Sequence, residues 1–276
     1  LSPRERTMTP LPSDIQDTIK SWLTSGEIEV FIGWETGSVP LRASPAFVRQ
    51  AADVERLIWD ATCENNLTTY LARFKGHRVG IMVKGCDARA IIGLMQEGQW
   101  QRSDLRIVGV SCPGVVDIRK VARVTGKTVD DLDRASLGDD GVVVGDQTIA
   151  LADVWYDMCL VCDRHDPNIE DVHLGALVPD AVAEDPFAHV HAIESLSDDE
   201  RWARFTAELS RCNLCFTCRN ACPLCYCTIC FADRTQPQWL TSTTQPQDIQ
   251  FFQIMRTFHL AGRCVGCGAC TRACPQ

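Results

Sequence analysis

Apolar positions recur at helical spacing from Asp14 to Ser25, with Ser13 placed to cap the start and Gly26 to close the end, and predict a first helix. Glu27 to Ile32 reads as a short strand. Ala51 to Phe74 carries a helical pattern, as one helix or two. A sharper unit follows. Arg78 to Val83 is an apolar strand ending at Lys84-Gly85-Cys86, and Asp87 caps a helix running to Met95. Leu105 to Val110 is a second buried strand. It ends at Ser111-Cys112-Pro113-Gly114, and Val115 to Val124 reads as the next helix. Strand–helix–strand–helix is a βαβ unit, so the two strands should run parallel and side by side. Ligands of such sheets sit beyond the carboxyl ends of the strands, which is where Cys86 and Cys112 fall.

Gly141 to Leu151 predicts a hairpin turning at Gly145-Asp146, and Tyr156 to Asp166 a loop holding Cys159 and Cys162. From about Asp180 the pattern changes to helix and loop. Ser197 and Glu200 match a capping box for a helix leading to Cys212. Thr235 to Gln247 is polar, rich in Pro and Gln, and reads as a linker. Phe251, Phe252, Met255 and Phe258 lie at helical spacing and predict a packed helix face. The expected fold class is α/β, with a parallel βαβ-containing domain over residues 1–195. A helix- and loop-rich two-cluster ferredoxin-like module with a Cys-rich insertion is expected over 196–276.

Composition narrows the function. A 45% hydrophobic, 23% charged chain of 276 residues can bury a core without disulfide staples. The net charge of −9 and the lack of a Lys/Arg block argue against nucleic acid and suit docking to a basic protein partner. No apolar run reaches the roughly 18 residues of a membrane span. The polar start (Leu1 to Arg6) has no leader-like apolar stretch, so a cytoplasmic location is expected.

The 16 cysteines decide the chemistry. They are clustered beside ordinary α/β sequence, which favours metal binding in a reducing compartment over disulfides. Cys212, Cys215, Cys218 and Cys222-Pro223 form one quartet, and Cys264, Cys267, Cys270 and Cys274-Pro275 another. Both have the spacing of bacterial two-cluster ferredoxins, in which the fourth cysteine ligates the other cluster. Cys212, Cys215, Cys218 and Cys274 are therefore expected on one 4Fe–4S cluster, and Cys222, Cys264, Cys267 and Cys270 on the second. Gly266 and Gly268 let the second loop pass close to inorganic sulfide. Zinc also uses Cys-x2-Cys pairs, but does not need a third cysteine at the same spacing with a trailing Cys-Pro, twice over.

Cys86, Cys112, Cys159 and Cys162 are a candidate third quartet at the sheet edge. Cys225, Cys227 and Cys230 form a Cys-x-Cys-x2-Cys run of metal-binding type. Cys63 is either a core residue or the fourth ligand of that run. His189 and His191 read as solvated, and the Asp130-Asp131-Leu132-Asp133 stretch as a helix cap. There is no Walker A loop, no G-x-G-x-x-G after a strand and no Ser–His–Asp or Cys–His nucleophile pattern, so the catalytic residues are unassigned.

The segments Lys84-Gly85-Cys86-Asp87-Ala88-Arg89-Ala90, Val108 to Gly114 and Cys159-Leu160-Val161-Cys162-Asp163 resemble the coenzyme F-420 hydrogenase/dehydrogenase beta-subunit family. With the ferredoxin motifs, the layout is similar to a formate-dehydrogenase-type beta subunit. The resemblance implies FAD on the α/β domain, with no residues assigned to it, and one cluster in that domain. It also implies an electron-transfer role in a larger oxidoreductase. The partners implied are subunits of formate dehydrogenase, hydrogenase or heterodisulfide-reductase type, with ferredoxin or a deazaflavin as soluble carrier. The sequence departs from the family after the cysteine pair, where it reads Cys162-Asp163-Arg164-His165-Asp166. A flavin-free electron wire and a zinc-stabilised interaction protein are the competing readings.

Overall fold

The computed structural model describes residues 9–138, 140–180, 185–241 and 243–276; the polar start from Leu1 to Arg6 lies outside them. Helix α1 (Ser13–Thr24) forms where expected, but Ser13 is its first residue, and Pro12 holds the cap position without a side-chain bond. Strand β1 (Val30–Thr36) begins three residues later than the sequence suggests. It pairs antiparallel with β2 (Ala43–Val48), a strand the pattern hides. Pro45 interrupts it opposite Trp34. A proline is tolerated there because β2 is an edge strand.

The helix expected from Ala51 to Phe74 is not formed. Two 3-10 turns, Ala51–Arg56 and Leu67–Phe74, flank the short strand β3 (Leu57–Ile58). The reason is local. The Asp60 carboxylate accepts from the Thr62 amide at 2.8 Å and Asn66 Oδ1 from the Thr68 amide at 3.1 Å. Such side-chain bonds to the backbone compete with the helical ladder.

The βαβ reading holds. Strands β4 (Val79–Val83) and β5 (Leu105–Val110) are parallel neighbours, with Ile81 opposite Ile107. Helix α2 (Gly85–Gln96) follows β4, and α3 (Ile118–Thr125) follows β5. Asp87 is the third residue of α2 rather than its cap, and its carboxylate accepts from the Lys84 amide at 3.0 Å. Helix α3 starts later than Val115 because Asp117 caps it, accepting from the Arg119 amide at 2.9 Å. Strands β6 (Ser136–Gly138), β7 (Gly141–Val144) and β8 (Gln147–Ile149) form a separate antiparallel sheet, packed with α3 around Val121, Leu132 and Val142. The acidic stretch caps a 3-10 turn, with Thr128 donating to Asp131 at 2.6 Å.

Short helices α4 (Leu151–Val154) and α5 (Asp157–Leu160) lead to β9 (Val172–Leu174), which joins the main sheet beside β5. That sheet runs β2-β1-β4-β5-β9, with β3 also paired to β1. The fold is α/β with a mixed, mostly parallel sheet. The main core lies on it, around Phe31, Trp34, Ile81 and Ile107.

The remainder is helical: α6 (Ala188–Glu194) with His189 and His191 exposed, α7 (Asp198–Leu209), α8 (Thr217–Asn220), α9 (Pro246–Leu260) and α10 (Ala269–Arg272). The capping box on α7 is present, with the Ser197 amide donating to Glu200 at 2.8 Å. The expected apolar row on α9 is split. Phe252 is buried with Ile249, whereas Phe258 is 73% exposed. No described helix is long and apolar enough to cross a membrane.

This helical part is tied to the sheet. Leu224 is buried in the main core. The Arg263 guanidinium donates to both Glu97 oxygens at 2.5 and 2.7 Å and to the Leu224 carbonyl at 2.9 Å. Arg263 holds the Glu97 carboxyl below the usual carboxylate range. The pair is therefore intact at neutral pH and is lost only as pH falls through that lowered value. Glu97→Gln is expected to destabilise the protein by about 1 kcal/mol at neutral pH, read from denaturant midpoints. An unchanged midpoint would mean that the apolar contacts alone hold the two parts together.

Candidate metal centres

The carboxyl ends of β4 and β5 open into one cavity lined by Cys86, Cys112, Cys159 and Cys162. These are the four cysteines expected at the sheet edge. Each arrives by a different route: Cys86 on the first turn of α2, Cys112 just after β5, Cys159 on α5 and Cys162 just beyond it. Two glycines permit the close approach. A side chain at Gly85 would run into the Arg164 carbonyl, and one at Gly114 into the Trp155 ring. Because α2 starts here, its N-terminal amides give this mouth a positive partial charge, which favours an anionic occupant.

Polar residues that sequence spacing does not reveal hold the cysteines in place. His165 is buried; its Nδ1 donates to the Cys112 carbonyl at 2.8 Å, while the Cys112 amide donates to the His165 carbonyl at 3.0 Å. Lys84 is 2% exposed. Its ammonium donates to the carbonyls of Cys63 and Asn65 at 3.1 and 2.7 Å, pairs with Asp87 at 3.3 Å and lies 4.0 Å from the Trp34 ring centre. Arg272, from α10, is also buried and lines the cavity; it donates to the Cys267 carbonyl at 2.7 Å. Burial raises the Cys86 thiol to about 12 and the Cys112 thiol well above its usual value. Binding metal would therefore release protons.

The cavity passes one test of fit for an anionic cluster. Arg89 Nε and Arg272 Nη2 are buried without a hydrogen-bond partner, and both residues line it. A buried donor left unpaired is costly, and acceptor sulfurs would satisfy it.

In the ferredoxin-like part, α8 packs on α10, bringing the two cysteine loops together. Burial, with the nearby Cys267, Cys225 and Cys270 thiols adding to it, raises Cys222 to about 11. The thiols of Cys267 and Cys270, from the second loop, both act electrostatically on Cys222. Cys218 lies within electrostatic reach of both Cys212 and Cys270. Gln253 donates to the Cys212 sulfur at 3.6 Å. Gly266 and Gly268 both take positive φ, 63° and 67°, the conformation that shapes a tight ligand loop. Cys274 lies at the wall of a different cavity. Among the described residues, no three His, Cys, Asp or Glu donors converge on a single-ion site. Cys86, Cys112, Cys159, Cys162 and Cys267 line one cavity.

Cys225, Cys227 and Cys230 share another cavity, with α9 as its far wall. Cys63 does not line it. Cys63 lies just after a turn rather than in a helix, is fully buried in the main core, and has its thiol raised by burial. Of the two roles weighed for Cys63, the structure places it in the core.

The cavity at Cys274, of about 700 Å³, lies between the 3-10 turn Leu67–Phe74, the start of α3 and helices α8 and α10. Arg42, Arg73, Arg119 and Arg272 line it, with Asn66, Tyr70 and Cys274. Arg42 pairs with Glu64 at 3.1 Å. Asn66 Nδ2 is buried and unpartnered.

Over 90 residues, 33% of this chain, the sequence is 32% identical to the F-420-dependent formate dehydrogenase subunit beta of Methanocaldococcus jannaschii. The resemblance to the coenzyme F-420 hydrogenase/dehydrogenase beta-subunit family stands. The match spans 22% of that relative's length. A solved structure of the F-420-reducing NiFe hydrogenase complex from Methanosarcina barkeri aligns with 70% of this chain and 72% of its own, at 14% identity and a TM-score of 0.46. No protein-family profile matches the chain.

Proposed function

We propose that this chain is an iron–sulfur, FAD-binding electron-transfer subunit of a cytoplasmic multi-subunit oxidoreductase of formate dehydrogenase or hydrogenase type. The observation that carries the reading is the meeting of Cys86, Cys112, Cys159 and Cys162, from separate parts of the chain, around one cavity at the carboxyl edge of a parallel sheet. The second ferredoxin quartet lies against it, since Gly266 and Cys267 form part of its wall.

The Arg-lined cavity suits a flavin dinucleotide. Its 700 Å³ falls in the range of cofactor sites, and Arg73 and Arg119 offer positive charge to a pyrophosphate. Asn66 brings an unused amide donor, and Tyr70 an aromatic face. Cys274, assigned to a ferredoxin cluster, lines the same cavity. When bound, FAD supplies exchange between two-electron and one-electron carriers, and cubanes supply one-electron transfer. The chain's own residues position these groups. Arg119 donates to the Cys274 carbonyl at 2.9 Å, fixing the last cluster cysteine against the first turn of α3. Arg272 lines both this cavity and the sheet-edge one.

The test is a count of iron, acid-labile sulfide, zinc and flavin per chain after anaerobic purification. Roughly twelve to sixteen irons with one FAD supports the reading. About eight irons and no flavin would reduce the chain to a ferredoxin-type wire. Zinc without sulfide would overturn it.

A further inference from the structure

The cavity lined by Cys225, Cys227 and Cys230 is also lined by a histidine, His259. Helix α9 presents Phe252, Arg256, His259 and Arg263, the last just past its end, to this cavity. Their spacing of four, three and four residues places them on one helical face. His259 is the lining residue, other than the three cysteines, whose side chain ligates iron. Its ring stands edge-on to Phe231, with centres 5.1 Å apart, and that contact helps fix the imidazole plane.

We propose that Cys225, Cys227, Cys230 and His259 ligate a further 4Fe–4S cluster, with three thiolates and one imidazole. It rests on the reading of this chain as a carrier of cubanes, but on a separate cavity. The charge around the site favours a cubane over a single zinc ion. Three arginines surround the site, as suits a polyatomic anion. Arg219 is paired with Asp233 at 2.8 Å and Arg263 with Glu97, and both line the cavity. Arg256 Nε is buried and has no hydrogen-bond partner, so a donor is waiting beside the three thiols.

Imidazole ligation gives the site a signature that the all-cysteine clusters lack. The cluster would carry one less negative charge than a four-thiolate cubane, and so a higher reduction potential.

The test uses the full chain, purified anaerobically with and without 15N-labelled histidine. Pulsed EPR of the reduced protein is expected to show a nitrogen hyperfine coupling that changes with the label. His259→Cys is expected to keep iron and sulfide, abolish that coupling and lower the potential of one cluster. Cys227→Ala with Cys230→Ala is expected to remove about four irons per chain. Absence of histidine coupling in every reduced state would overturn the proposal. So would an EPR spectrum unaltered by His259→Cys, or stoichiometric zinc with three sulfur neighbours and one nitrogen. Cys218→Ala removes iron from the ferredoxin pair and reports that pair separately. A failure at His259 with the Cys218 response intact would leave the wider reading standing.

Discussion

Alanine at Cys112 is expected to strip about four irons and their sulfides from the anaerobically purified chain while leaving the EPR signals of the two ferredoxin clusters in place. Cys112 lies two residues past the end of β5, and its backbone is held from both directions by His165. Little backbone movement is therefore available to recruit a substitute ligand. The other cysteine lining the cavity, Cys267, belongs to a ferredoxin-type quartet and is proposed as a ligand of the second ferredoxin cluster. Unchanged iron in Cys112→Ala would show that the sheet-edge cavity holds no cluster, and the proposed function would lose its main support.

Arg272→Gln is expected to lower the reduction potentials of two clusters at once, the sheet-edge one and the one ligated by Cys267. The guanidinium is buried, and the thiols of Cys86, Cys159 and Cys267 all act on its charge. One charge roughly 6 Å away at an effective dielectric of about 20 is worth about 3 kcal/mol, or on the order of 100 mV for one electron. An EPR-monitored redox titration reads both shifts, and iron content shows whether the clusters remain. If only one potential moves, Arg272 serves one cluster and does not couple the pair. Glutamine keeps a donor for the Cys267 carbonyl, which separates the loss of charge from the collapse of the loop.

The parts of this fold that can be read from the chain are those fixed over short distances. The Cys-x2-Cys-x2-Cys runs, the apolar strands Val79–Val83 and Leu105–Val110, and the Ser197 capping box all depend on neighbours a few residues apart. The gathering of Cys86, Cys112, Cys159 and Cys162 is also legible, because strand polarity places both βα loops at one edge. What cannot be read is settled by competition or by distant contacts. The helix expected from Ala51 to Phe74 loses to the backbone bonds of Asp60 and Asn66. Strand Ala43–Val48 is masked by Ser44 and Pro45. Cys63 passes for a spare ligand on the arithmetic of cysteines, and only the packing of the main core shows otherwise. Lys84, His165 and Arg272 look like ordinary surface residues in the sequence. Their roles come from tertiary burial, which no local pattern reports.

The wall of the sheet-edge cavity is built from both halves of the chain. Gly266, Cys267 and Arg272 close a chamber whose other sides come from Cys86, Cys112, Cys159 and Cys162. The expected boundary after residue 195 therefore divides the chain but not this chamber. The ferredoxin-like part forms one side of this chamber. A chain cut at that boundary would leave the chamber unroofed, its contents open to water and oxygen.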